Sequence, residues 1–167
     1  MSSDAEAAER LSAEEAIRAV KAGVLPFDQQ LESLVMYINL LDSAEIGVTL
    51  HVKGAVVSGL LISARSYFNL TVRALDEAAE SNPGAKSFAN FFRTTLDQFL
   101  EVREAYETTE KLPPRPHHLH LRQPQTFVTA SQPLIHQLWR GRLTEIDGWS
   151  IGNLGEPIPP LPPDLLR

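Results

Sequence analysis

Three histidines, His117, His118 and His120, form the densest set of chemistry-bearing side chains in the sequence. On a strand, His118 and His120 point to the same face and could grip one metal ion together. Two ligands do not complete a site. His51 and His136 lie elsewhere in the chain, and no spacing matches HExxH or a facial triad. The plain reading is surface histidines at the start of an edge strand, so no metal or other cofactor is expected. Among nucleophiles, Ser58 precedes Gly59 inside the apolar run VVSGLL, without the GxSxG pattern of a strand-to-helix elbow. There are no cysteines, which removes thiol catalysis, thiolate ligation and disulfides. Phosphate-cradling glycine loops of the GxxxxGK[ST] and GxGxxG types are absent. Glu14, Glu15, Asp76, Glu77 and Glu80 sit on helical segments and read as solvated faces rather than an acid/base pair in a cleft. No catalytic residue is expected, and the chain reads as a non-enzyme. What remains is a set of aromatic and basic residues near the C-terminus: Trp139, Arg140, Arg142 and Trp149. Stacking aromatics with arginines on a strand make a platform for single-stranded nucleic acid, and the same residue types dominate protein-binding hot spots. Trp139 shares a strand face with Leu143, which favours core packing of the tryptophan with the arginines facing solvent.

The elements that must position these residues are legible from periodicity. Residues 27–42 form an amphipathic helix with Phe27, Leu31, Leu34, Val35, Ile38 and Leu41 on one face. The period then changes to two: Val48, Leu50 and Val52 alternate with Thr49, His51 and Lys53. Lys53-Gly54 is a tight turn, and AVVSGLLIS returns as a second strand with Gly59 as a bend or bulge. Ser63 caps a helix over 65–80, with Phe68, Val72, Leu75 and Ala79 on its face, and Ser81-Asn82-Pro83-Gly84 ends it. A longer helix over about 86–110 presents Phe88, Phe92, Leu96, Phe99, Val102 and Tyr106 as its core face. The short connection pairs these two helices as an antiparallel hairpin. After the stiff KLPPRPHH connector, HLHLRQ and TFVT read as strand pieces broken at Pro124. Residues 138–146 and 149–154 read as the two strands of a hairpin turned by Asp147-Gly148.

The chain has 167 residues and a formal net charge of −6, which disfavours binding to duplex nucleic acid. No run approaches the ~18 apolar residues of a spanning helix, and the acidic N-terminal sequence has no apolar signal region. A cytoplasmic protein without membrane partners is expected. The layout predicts an α+β fold: a small curved antiparallel β-sheet or Sm-like barrel, with an N-terminal helix and an inserted helical hairpin. The domain plan is an N-terminal helical arm at 1–25, one α+β domain at 26–155 with the helical insertion at about 65–110, and a proline-rich extended tail at 156–167. Exposed sheet edges lead us to expect a homo-oligomer.

Two blocks carry a family resemblance. IGVTLHVKGAVVSGLLISARSYF supplies Val57, Ser58, Gly59, Ile62, Ser63, Tyr67 and Phe68; LWRGRLTEIDGWSIGNL supplies Trp139, Arg140, Gly141, Ile146, Asp147, Gly148 and Gly152. In this order they resemble the gas vesicle accessory protein GvpU family. The first block has one residue fewer between its valine and serine than the family pattern, and the N-terminal arm and PIPPLPP tail look like additions. The resemblance implies a non-enzymatic, vesicle-associated role in gas vesicle assembly, stability or clustering through protein–protein interaction, with vesicle shell or other vesicle proteins as partners. A weaker likeness in element order is to the Sm-like barrel, which implies an oligomeric nucleic-acid-binding module as the alternative.

Overall fold

A computed structural model of the chain describes residues 28–109, 114–128 and 132–154. The expected arm at 1–25, the tail at 156–167 and Phe27 lie outside the described residues. The described elements are α1 (Gln29–Leu41), β1 (Ile46–Val52), β2 (Ala55–Ile62), α2 (Ala64–Ala79), α3 (Pro83–Thr109), β3 (His118–Phe127), β4 (Leu134–Ile135), β5 (Leu138–Arg142) and β6 (Gly148–Ile151), with a 3-10 turn at Leu143–Glu145 between the last two strands. The fold is α+β. Six antiparallel strands form one sheet in the order β4-β3-β2-β1-β6, and β5 also pairs with β3.

Helix α1 starts where Asp28 accepts from the backbone N–H groups of Gln30 (2.8 Å) and Leu31 (3.1 Å), satisfying two otherwise orphaned donors. It buries Leu31, Val35 and Ile38 against Val48, Leu50, Val57, Leu61, Leu119, Leu121 and Leu143, and these residues form the main core. Leu41, expected on that face, is exposed, because the helix ends there and Asp42 turns the chain away with φ 47°. The β1–β2 hairpin closes on Lys53-Gly54 with φ of 48° and 85°, the two positive values that a type I′ turn demands.

Strand β3 is one bent strand rather than two broken pieces. Its pairing with β2 slips between Ser58 and Leu60, and Gln123 adopts φ 50° beside the buried Pro124. Proline lacks the ladder N–H, so it is tolerated at this irregularity. A Cβ on Gly59 would stand 3.0 Å from Pro124 Cα and 3.2 Å from the Arg122 carbonyl oxygen, so glycine is what lets the two backbones approach.

The expected hairpin over 138–154 does not form. Strand β5 pairs with β3, and β6 pairs with β1. Leu143, only 1 % exposed, is drawn into the core and folds the chain into the 3-10 turn that carries it from one sheet edge to the other. Asp147 does not close a turn: its N–H donates to the His51 carbonyl (2.8 Å), and its carboxylate accepts from the Lys53 N–H (2.7 Å). Because β5 and β6 do not pair with each other, the sheet stays open, and the barrel form of the expectation is not adopted.

Helices α2 and α3 pack as the expected hairpin on the face of β3 opposite the main core. Ser63 caps α2 by accepting from the Ser66 N–H (3.1 Å), and Asn82 caps α3 by accepting from the Gly84 N–H (3.1 Å), with Pro83 in the first helical position. The buried stripe of α3 is Ala85, Ala89 and Leu96, with Phe92 and Phe99 half-buried; Phe88 and Val102 are exposed. The buried alanines thus place the packed face of α3 to one side of the face that Phe88 and Val102 predict.

Candidate functional site

Strand alternation divides the four C-terminal candidates between two faces. Trp139 pairs with Leu121 and Trp149 with Leu50, so both indoles turn toward the main core and pack against it. The Trp139 ring lies over Gly141, with its Cζ3 2.5 Å from the place a Cβ would occupy. Arg140 and Arg142 alternate to the other face, opposite His120 and His118 respectively, and are exposed. The four residues therefore do not share one platform.

The three histidines also separate. His120 is 4 % exposed and stacks on Tyr67, ring centroids 4.6 Å apart, with Phe68 at 6.1 Å. Neither of its ring nitrogens has a hydrogen-bond partner, and burial, reinforced by Arg140 and His118, pushes its pKa down to about 3. It is a neutral, core-like ring at ordinary pH. His118 is half-buried; burial first, then Arg140, Arg142 and His117, lower its pKa. Among the described residues no three metal-ligating side chains converge.

Ser58 is 3 % exposed and fully occupied. It accepts from the Leu154 N–H at 2.7 Å, meets the Thr49 hydroxyl at 3.1 Å and lies 3.4 Å from the Val48 carbonyl. Thr49 donates to the Gly152 carbonyl at 2.8 Å. The VVSGLL serine thus anchors the chain after β6 across β1 and β2, and no base stands beside it.

A second anchor joins the layers. Arg103 of α3 donates to the carbonyls of Asn39 (3.2 Å) and Leu40 (3.4 Å) and to the Asp42 carboxylate (2.7 Å), so it caps the C-terminus of α1. Asp42 also receives Arg65 at 3.0 Å.

Among the clefts formed by the described residues beside the sheet, two hold about 360 Å³ each. One is lined by Pro116, His117, His118, Arg142, Leu143 and Thr144. The other lies between α2 and the β3 bend and includes Arg73, Glu77, Arg122, Gln123 and Gln137. Of the first cleft's lining, the sequence drew attention to His117 and His118 as surface histidines and to Arg142 as part of a possible interaction surface, without bringing them together. Leu143 was read as a core-facing strand residue and Thr144 was not singled out, because their place in the cleft depends on the 3-10 turn.

No helix among the described residues is long and apolar enough to cross a membrane. The geometry thus defines an α+β protein whose candidate serine and buried histidine serve packing, while Arg140 and Arg142 lie exposed on one sheet face with no ion-pair partner among the described residues. The family described as gas vesicle protein GvpU-like matches residues 28–154, most of the chain, and the chain belongs to that family of gas-vesicle-associated proteins. No curated protein and no solved structure matches it.

Proposed function

We propose that this protein is a non-enzymatic, cytoplasmic accessory protein that acts by protein–protein contact in gas vesicle assembly, stability or clustering. The family match over residues 28–154 carries this reading. The hydrogen-bonded Ser58 and the unpartnered, apolar setting of His120 support a role in binding rather than catalysis. Surface for contact is available at Arg140 and Arg142, on α3 at Phe88 (62 % exposed) and Phe91 (64 %), and at the sheet edge, where Ile135 of β4 is 76 % exposed. Open edges with exposed apolar side chains also support self-association.

Flotation with purified vesicles tests the proposal: the chain rises with them and brings shell or other vesicle proteins into a pull-down. Absence of enrichment in both assays overturns it. Light scattering of the isolated chain tests self-association, and a monomer across the micromolar range removes that part alone.

A further inference from the structure

We propose that the cleft between the start of β3 and the end of β5, with Arg142 and the neighbouring Arg140 at its edge, docks an acidic peptide segment of a partner protein. This deepens the binding role proposed above and names the chemistry of the partner. Every other described arginine already has a carboxylate within ion-pair distance: Arg65 with Asp42, Arg73 with Glu77, Arg93 with Asp76, Arg103 with Asp42, Arg115 with Glu32 and Arg122 with Glu45. Among the described residues Arg140 and Arg142 have none. In a molecule of net charge −6 this is a departure, since acidic side chains outnumber basic ones.

The two arginines lie two residues apart on one strand face, roughly 7 Å along the strand. An extended peptide presents alternate side chains at the same repeat, so two carboxylates in an i, i+2 relation match two guanidinium forks. The cleft beside them, about 360 Å³, adds apolar walls from Pro116 and Leu143, the Thr144 hydroxyl and the imidazoles of His117 and His118. Burial lowers the pKa of His118 first, and the charges of Arg140 and Arg142, with His117, add to it, which places these cationic groups beside the cleft. Nucleic acid fits less well. Trp139 and Trp149 turn into the core, which leaves no stacking platform beside the arginines, and the net charge opposes a polyanion.

The experiment uses fluorescence anisotropy of the full chain with a labelled peptide of alternating glutamate and serine, and a glutamine-for-glutamate peptide as control. The glutamate peptide binds, and its affinity falls as salt rises. Arg140→Gln and Arg142→Gln each weaken it roughly tenfold. Arg73→Gln, in the other cleft, leaves it unchanged. Equal affinity for the glutamine peptide, no loss in the double variant, or tighter binding of a single-stranded oligonucleotide overturns the proposal. A readout on the unmodified chain guards against variants that fail to fold: the His118 imidazole resonances shift on adding the glutamate peptide, and unshifted resonances overturn the proposal. Vesicle flotation is scored separately, so a chain that floats but ignores the peptide loses this proposal and keeps the vesicle role.

Discussion

Gly59 of β2 and Pro124 of β3 meet backbone to backbone: a Cβ at residue 59 would lie 3.0 Å from the proline Cα. The contact sits where the β2–β3 register slips, so the bend of the sheet and the absence of a side chain at Gly59 are one structural fact. Gly59→Ala forces the strands apart by a few tenths of an ångström, and Gly59→Val forces more. Valine is expected to cost about 3 kcal/mol, within the range for overpacked interiors. Thermal unfolding of the two variants checks it. A wild-type midpoint in the valine variant would show that the bend yields without cost.

His120 sets a pH dependence. Burial holds its folded-state pKa down at about 3, against an ordinary value of 6.5. The folded state therefore refuses a proton that the unfolded chain accepts below pH 6.5. The stabilisation is complete above that pH and declines as pH falls toward 3, by up to about 1.4 kcal/mol per unit. Between pH 6.5 and pH 5 the loss is about 2 kcal/mol. Urea midpoints measured across this range for the wild type and His120→Leu test it: the variant loses most of the slope and keeps a smaller one from His118. Because both ring nitrogens of His120 lack partners, the leucine variant is also expected to be no less stable at pH 7. Parallel pH profiles for the two proteins would refute the assignment.

Arg103 and Asp42 stitch the helical hairpin to the end of α1. The pair is about a quarter exposed on both sides, so solvent screens it, and a double-mutant cycle of Arg103→Ala with Asp42→Ala is expected to return a coupling of about 1 kcal/mol. Arg103→Lys retains the charge but not the fork that spans Asn39, Leu40 and Asp42, and recovers only part of it. A coupling of zero would make the contact incidental.

Ser58 predicts a structural rather than a chemical phenotype. Ser58→Ala strips the acceptor from the buried end of the Leu154 N–H bond and is expected to cost about 1–2 kcal/mol. Faster amide exchange over residues 150–154, with the β1–β2 hairpin still protected, is the signature. Uniform exchange throughout would show that the serine does not hold this segment.

Much of this protein was legible because local rules acted alone. Leu31, Val35 and Ile38 share a helical face whatever they pack on, Lys53-Gly54 turns because two positive φ values suit it, and Ser63 caps α2 from its own sequence context. The two blocks of family resemblance lie within the matched region as well. Non-local choices decided the rest. Asp147-Gly148 has the composition of a hairpin turn, yet pairing β6 with β1 buries Leu143 and lets Asp147 satisfy Lys53, 94 residues away. His120 alternates away from Leu119 and Leu121, as a surface residue would, and becomes buried only because α2 lays Tyr67 and Phe68 over that face. Phe88 and Val102 have core composition at core spacing but face outward, since α3 packs through Ala85, Ala89 and Leu96 instead. The sequence by itself determined the described helices and the first hairpin, each governed by residues adjacent in the chain, and marked Gly59 as a bend that Pro124 completes from across the sheet. Tertiary structure alone decided which edge received the last strand, which histidine was buried and which arginines have no carboxylate among the described residues, because each depends on what packs against it from elsewhere in the chain.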